Sequence, residues 1–155
     1  MRKQFIIQIL FLLLAKAAFA QCNNYHLSYN CRPSPSEAKD MYLSSQSRSV
    51  YLEAQVPYKF QMTLFGKMDY KIIFCAEKKF YPIHYTITEK ATGKIFFDNK
   101  DDTFVESIGF STDKTTIVVV ECVLLAEKAK FDDIRDNRSC VGIPIMYRKI
   151  PKTGF

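Results

Sequence analysis

An alternation of apolar and polar side chains over residues 58–65 restricts the fold of this chain more than any other feature. Lys59, Gln61 and Thr63 are its polar positions. The apolar positions around them are Tyr58, Phe60, Met62 and Leu64. Because successive side chains of a β-strand point to opposite faces, the pattern predicts a strand with one buried face and one face in water.

Comparable short runs recur along the chain and predict an all-β fold. β-branched and aromatic residues dominate them, which favours strands over helices. The predicted strands cover residues 50–54, 58–65, 69–75, 83–87, 95–98, 103–111, 116–125 and 140–149. Turn residues separate them, and Pro144 marks the last strand as an edge strand or a bulged one. We expect an antiparallel β-sandwich or jelly roll of about eight strands, with a closed barrel as the alternative.

The segment before these strands carries a helix-start pattern. Ser34 can cap a helix, Pro35 suits its first position, and Glu37 lies three residues after the cap. The polar stretch 44–49 would end such a helix. We therefore expect one short N-terminal helix ahead of the strands.

The start of the chain has the three zones of a secretory signal. Arg2 and Lys3 come first, and residues 5–15 are apolar with one interruption. Ala18 and Ala20 then offer small side chains at the −3 and −1 positions of a cleavage site. The apolar stretch is about half as long as the roughly 20 residues that span a bilayer. Cleavage after Ala20 leaves Gln21 directly before the first cysteine, which argues against lipid attachment.

This signal sets the expected domain organisation and compartment. The expected divisions are a signal peptide (1–20), a disulfide loop with the short helix (21–49) and a β-sandwich (50–150), with 21–155 forming a single globular domain. The mature chain is expected to be secreted or periplasmic, with no membrane span. Loss of Arg2, Lys3 and Lys16 lowers the formal net charge from +6 to +3. No basic stripe remains, so no nucleic-acid partner is expected.

The chain has five cysteines after the signal, which favours disulfides in an oxidising compartment. They are Cys22, Cys31, Cys75, Cys122 and Cys140. No pair has Cys-x-x-Cys spacing, so a zinc site is not expected. Strand alternation puts Cys122 on a buried face and Cys75 on an outward face, so we predict that Cys122 is free. The hypothesis for the others is a local Cys22–Cys31 bridge and a long-range Cys75–Cys140 bridge.

The sequence carries no catalytic motif. It lacks the Gly-x-Ser-x-Gly pattern of a nucleophile elbow. The two histidines are His26 and His84, and alternation places His84 on the outward face opposite Tyr85. One alternative function is therefore a small secreted hydrolase that uses His84 with a nearby acid or cysteine.

An acidic run at the end of a predicted hairpin contains candidate metal ligands. Asp98, Asp101 and Asp102 could supply oxygen atoms to calcium from a loop. The competing interpretation is a plain turn, because aspartate and asparagine are favoured in turns for their own hydrogen bonds. Calcium is the one cofactor that the sequence raises.

A loop with two adjacent aromatic residues contains candidate ligand contacts. Phe80 and Tyr81, with His84 close in sequence, could contact a partner protein or a glycan. The chain has no tryptophan, the side chain that most often forms sugar platforms. The competing interpretation is a loop that covers one end of the core.

A longer pattern begins at Gly66. It reads Gly-Lys-Met-Asp-Tyr-Lys-Ile-Ile-Phe-Cys, then Tyr-x-Ile-x-Glu-x-x-Thr-Gly-Lys-Ile-Phe-Phe-Asp-Asn, then the apolar strand ending at Cys122, and then Arg-Ser-Cys-Val-Gly from residue 138. Over about residues 50–149 the chain resembles a group of short secreted proteins of Bacteroidetes-type bacteria, and more remotely the pre-peptidase C-terminal jelly roll. The expected hairpin acid of that jelly roll is displaced here to Glu89. The resemblance implies a noncatalytic accessory module and carries over no active site.

The sequence therefore predicts an exported noncatalytic β-sandwich module with a binding or structural role in the periplasm or at the cell exterior. One alternative is a calcium-dependent module that binds carbohydrate or protein. The other alternative is the small secreted hydrolase.

Overall fold

The computed structural model describes residues 22–127 and 137–150, so the predicted signal at residues 1–20 lies outside the described residues. Within those ranges the regular structure is antiparallel strand and short 3₁₀ turns. The strands are β1 (Tyr42–Leu43), β2 (Arg48–Glu53), β3 (Tyr58–Leu64), β4 (Met68–Ile73), β5 (Ile83–Glu89), β6 (Ile95–Asp98), β7 (Ser107–Thr112), β8 (Thr116–Leu124), β9 (Arg138–Ile143) and β10 (Ile145–Lys149). The 3₁₀ turns are Tyr25–Leu27, Tyr29–Cys31 and Lys78–Phe80.

These strands form three antiparallel sheets. One four-stranded sheet has the order β1-β10-β4-β7, and the other has the order β3-β8-β5-β6. The third sheet pairs β2 with β9. A single bridge between Cys75 and Gly142 joins the end of β4 to β9. In this order β6 and β7 are edge strands of different sheets.

The alternation seen in the sequence explains which side chains form the core. In β3, Phe60, Met62 and Leu64 are buried, and Lys59 and Gln61 on the other face are exposed. In β8 the fully buried members are Val118, Val120, Cys122 and Leu124. One hydrophobic cluster contains side chains from all three sheets. The prediction of an all-β antiparallel fold is confirmed.

The described chain has ten strands, and the prediction of about eight needs correction. The first addition is β1, which has only two residues. The second arises because the predicted strand 140–149 divides at Pro144 into β9, which pairs with β2, and β10, which pairs with β4. Proline has no N–H to donate to a ladder, and here its carbonyl accepts a hydrogen bond from Ile73 N at 3.0 Å. The chain therefore changes sheets at this residue.

The predicted N-terminal helix is wrong, although its capping pattern forms. Glu37 Oε2 accepts hydrogen bonds from the Ser34 N–H at 3.0 Å and from the Ser34 hydroxyl at 2.7 Å. Residues 35–40 form turns, and Asp40 adopts a left-handed conformation with φ 61°. Lys71 Nζ donates to Glu37 Oε1 at 2.6 Å and ties this turn to β4. A single turn costs more to nucleate than it gains, so without further helical residues the chain leads into β1.

The predicted disulfide pairing is also wrong. The bridges are Cys22–Cys140 and Cys31–Cys75, and Cys122 is the free, buried cysteine as predicted. The N-terminal segment packs on β2 and β9, so its two cysteines reach the sheets instead of each other. The predicted disulfide loop within residues 21–49 is therefore absent from the described part of the chain. Cys75, expected to face outward, is buried beneath that segment.

Gly142 allows the second bridge to lie directly on β9. A Cβ atom at this position would lie 2.5 Å from Cys31 Sγ and 2.7 Å from Cys75 Sγ. Such distances are shorter than any real contact of a Cβ atom, so the glycine is required by close approach.

Candidate functional site

An open groove lies between the edge strands β6 and β7 of the two four-stranded sheets. Its volume is about 480 Å³. Its apolar walls and floor are Leu64, Ile87, Phe96, Phe97, Ile108 and Phe110. We call this feature the edge groove. It is the candidate binding site because concave apolar sites of a few hundred cubic ångströms are where proteins bind small ligands.

The sequence builds one wall of the edge groove through a bulge in the β5–β6 hairpin. The pairing register shifts between Ile87 and Thr88, so Phe97 lies opposite Ile87 while Ile95 lies opposite Thr88. Phe96 is the extra residue between these pairs, and both Phe96 and Phe97 line the groove. A bulge changes the direction of a side chain relative to its strand, so two successive aromatic rings can line the same groove.

The core holds the groove in shape. Leu64 and Ile87 on its floor are each 1% exposed. The Phe97 ring packs against Tyr85 with centroids 5.8 Å apart. Across the groove, the Phe110 ring stacks on Tyr70 with centroids 5.9 Å apart. The apolar walls are therefore continuous with the packed core.

The polar side chains at the mouth of the groove mostly hold turns together. Thr116 Oγ1 donates to Glu89 Oε1 at 3.3 Å, and the Thr92 hydroxyl donates to the other carboxylate oxygen. Thr112 Oγ1 donates to Phe65 O at 2.6 Å, and Ser111 Oγ donates to a carboxylate in β4 at 2.6 Å. Asp113 and Lys114 complete the mouth. No member of this set is arranged as a nucleophile with a base.

His84, a predicted site residue, forms a pair with Asp98 on the outer face of β5 and β6. His84 Nε2 and Asp98 Oδ1 are 2.9 Å apart, and both side chains are half-buried. The backbone N–H of Lys100 donates to the same carboxylate oxygen at 3.0 Å and, together with His84, holds the pKa of Asp98 below its usual value. The Phe104 ring meets the imidazole edge-on.

The hydrolase alternative receives no support from either histidine. Within residues 22–127 and 137–150, no hydroxyl or thiol side chain makes a hydrogen bond to His84. His26 Nδ1 lies 2.8 Å from Ser49 Oγ, but that oxygen also accepts the backbone N–H of His26 at 2.9 Å. No carboxylate in the described residues orients the His26 ring. In this part of the chain, neither histidine therefore contacts both a nucleophile and an acid that would orient the imidazole ring.

The calcium prediction is not supported by the position of its ligands. Asp98 is engaged by the imidazole and by a backbone N–H, while Asp101 and Asp102 lie exposed in the following turn. In the described residues no group of three His, Cys, Asp or Glu side chains could hold a metal ion. The loop is organised by Asn99, whose side chain is fully buried.

Asn99 is a structural residue that the sequence did not single out. Its Oδ1 accepts the N–H of Tyr85 at 2.8 Å. Its Nδ2 donates to Ile83 O at 2.8 Å and to Val105 O at 3.1 Å. Three hydrogen bonds between one buried amide and backbone groups of β5 and of residue 105 fix the loop after β6.

The aromatic loop packs over the core. Phe80 is fully buried. The hydroxyl of Tyr81 accepts the N–H of Ala76 at 3.2 Å within the same loop. Neither residue lines the edge groove, and His84 does not line it either. The buried Phe80 ring agrees with the interpretation of a loop that covers one end of the core, and ligand contact at Phe80, Tyr81 and His84 stays a prediction.

The residues of the edge groove were missed at the level of the sequence. The signal that could have found them is the Phe96-Phe97 doublet, which breaks the alternation in a short strand. Such a break places two apolar side chains where a half-buried strand would place one.

Among the described residues, no helix is long and apolar enough to span a bilayer. Comparison with family models and with curated proteins gives no match for this chain.

Proposed function

We propose that this chain is an exported, noncatalytic β-sandwich module that binds an apolar group in the edge groove. The observation that carries the proposal is a groove of about 480 Å³ with six apolar side chains on its walls and floor. That volume lies within the range of roughly 300–1,000 Å³ typical of small-molecule sites. Each ligand methylene buried there would contribute about 0.8 kcal/mol to binding.

The packing of the sheets supports the sandwich architecture in this proposal. The two four-stranded sheets and the β2–β9 pair contribute to one hydrophobic cluster, as expected when sheets pack face to face. The groove is then the opening between the packed sheets along one edge. The noncatalytic role agrees with what the resemblance to accessory jelly rolls implies, a resemblance that we retain as part of the proposal.

The disulfides support an extracellular or periplasmic location. Bridges such as Cys22–Cys140 and Cys31–Cys75 persist in oxidising compartments and are rare where thiols are kept reduced. We retain residues 1–20 as the proposed cleavable signal that delivers the chain there, with cleavage after Ala20.

Titration with the neutral fluorescent dye N-phenyl-1-naphthylamine tests this function. The wild-type chain should bind the dye with a blue-shifted, enhanced emission. Phe96→Lys puts a charge on the groove wall at a side chain that is 45% exposed, so folding should survive while dye affinity falls about tenfold. Ile95→Lys is the matched control, because Ile95 is the next residue, is exposed and does not line the groove. Equal dye affinity in the two variants would refute the proposal.

A further inference from the structure

Three turns meet at the end of the molecule where the edge groove opens. They are residues 65–67 between β3 and β4, residues 90–94 between β5 and β6, and residues 113–115 between β7 and β8. Gly66 N donates to Thr115 Oγ1 at 3.0 Å, and Lys90 N donates to Ile117 O at 2.9 Å. The pairing of β10, β4 and β7 brings Lys149 and Thr112 to the two sides of Met68. We call this end of the molecule the lysine end.

Exposed positive charge is concentrated at the lysine end. Its exposed lysines are Lys67, Lys90, Lys94, Lys114 and Lys149. None of them forms an ion pair with a residue that the structure describes, and Lys90 donates to the neutral Gln61. The acids in these turns are Asp113 and Glu89, and Glu89 is half-buried and accepts two hydroxyl hydrogen bonds. Five exposed lysines therefore stand against two acids at this end of the described chain, and of the two acids only Asp113 is exposed.

Large apolar side chains lie among these cations. Phe65 is 53% exposed, Ile95 58%, Phe96 45% and Ile117 44%. Phe96 also forms a wall of the edge groove, whose mouth contains Lys114. A soluble protein rarely leaves several large apolar side chains together in water unless the surface binds something.

The opposite end of the molecule carries both signs of charge. On the loops beyond β4, β6 and β8, its exposed acids are Glu77, Asp101, Asp102, Glu106 and Glu127, and its exposed lysines are Lys78, Lys79 and Lys100. These eight residues have a net formal charge of −2, so positive charge is concentrated at the lysine end. A molecule with its positive charge concentrated at one end is oriented by an anionic surface, with that end foremost.

We propose that the lysine end binds an anionic lipid bilayer, with lysines at the phosphate headgroups and Phe65, Ile95, Phe96 and Ile117 in the interfacial layer. This inference rests on the proposed function, because it names a lipid acyl chain as the apolar group of the edge groove. Lysines near an anionic membrane each strengthen binding about fivefold. A soluble polyanion would satisfy the lysines but would leave the four apolar side chains in water, so a bilayer fits the surface better.

Flotation with lipid vesicles tests the inference. The wild-type chain should float with vesicles of phosphatidylcholine mixed with phosphatidylglycerol, and much less with phosphatidylcholine alone or in high salt. Lys67→Gln/Lys94→Gln should weaken binding about 25-fold, from two losses of about fivefold each. The control Lys78→Gln/Lys100→Gln removes two exposed lysines from the opposite end and should bind as the wild type does.

A second pair of variants tests the apolar contribution. Phe65→Ser should lower vesicle affinity at least severalfold, while Tyr29→Ser, at an 87% exposed position in the N-terminal segment, should not change it. Equal losses of vesicle affinity in the lysine variants of both ends, or tighter binding to heparin than to the mixed vesicles, would overturn the inference.

Dye binding is measured on the same samples. Dye binding without vesicle binding overturns this inference alone, whereas absence of dye binding in the wild type overturns the proposed function itself.

Discussion

Gly142 is the residue at which the disulfides and the strands meet. It pairs with Cys75 through hydrogen bonds of 2.8 Å and 3.0 Å, and the Cys31–Cys75 bridge lies against its Cα. The backbone of His26 is equally close, since a Cβ at residue 142 would lie 2.8 Å from His26 Cα. The N-terminal segment can therefore pack on β9 only because this residue has no side chain.

Gly142→Ala should lower the free energy of unfolding by about 1–3 kcal/mol, the usual cost of forcing an extra methyl group into a packed core. Gly109→Ala is the matched control, because the nearest atom to its added Cβ is 3.8 Å away and the residue is exposed. Thermal melts followed by circular dichroism measure both. A Gly142→Ala melt that coincides with the Gly109→Ala melt would contradict this packing.

Glu37 gives the N-terminal turn a pH dependence. Its hydrogen bonds from Lys71 and then Ser34 lower the pKa of this carboxyl from 4.5 to about 2. A carboxyl whose pKa is lower in the folded state stabilises that state above its unfolded pKa, and the contribution is lost as the pH falls through the folded pKa. The stabilisation should therefore be complete above about pH 4.5 and disappear towards pH 2.

Comparison of the wild type with Glu37→Gln across this pH range measures the effect. The pair is exposed to solvent, so we expect the wild type to be more stable by less than about 1 kcal/mol near neutral pH. The difference in melting temperature should shrink as the pH approaches 2. If the difference in melting temperature stays constant from neutral pH to pH 2, the charged Glu37 carboxylate is not the source of the stabilisation.

For the individual strands, the alternation of apolar and polar residues predicts which side chains are buried, because burial on one face depends on neighbouring residues alone. The buried face of β3 and β8, including the free Cys122, follows from side chains that point to opposite faces. The helix prediction failed because the Ser34–Glu37 cap fixes only its own turn, and the turns that follow end at Asp40 in a left-handed conformation. Local patterns therefore predicted the burial but not the path of the chain.

Contacts between distant segments account for what the sequence could not predict. The strand order makes β6 and β7 edge strands, and the residues of these two strands do not reveal which strands they pair with. The sequence marks Pro144 as a disruption of the last strand, but not that the chain pairs with β2 before this residue and with β4 after it. The disulfide partners depend on where the N-terminal segment crosses the sheets, which is also a long-range property.

Peptide mapping under non-reducing conditions should recover the Cys22–Cys140 and Cys31–Cys75 pairs and a free Cys122. The four bonded cysteines can pair in three ways, and each pairing gives peptides of different mass. The thiol of Cys122 should resist alkylation in the native protein, since burial and then the nearby Glu121 raise its pKa to about 12. A Cys22–Cys31 peptide would contradict the packing of the N-terminal segment on β9.

At the scale of the whole molecule, the edge groove and the lysine end form one surface. The groove opens where the turns before β4, β6 and β8 meet, and its mouth includes Lys114. The apolar walls are part of the packed core, and for the proposed ligand a groove that needs no rearrangement would lower the entropic cost of binding. Loops that carry both signs of charge lie at the other end, where Asn99 and the His84–Asp98 pair stabilise the fold.

The most direct test of the edge groove is a nuclear magnetic resonance experiment on methyl-labelled protein with bound N-phenyl-1-naphthylamine. We expect intermolecular Overhauser effects from the dye to the methyl groups of Leu64, Ile87 and Ile108, which line the groove. Ile73 and Ile83 lie at the ends of β4 and β5 that are far from the groove, so they should show none. Contacts to Ile73 or Ile83, or a bound dye that contacts none of the groove methyl groups, would show that the edge groove is not the binding site.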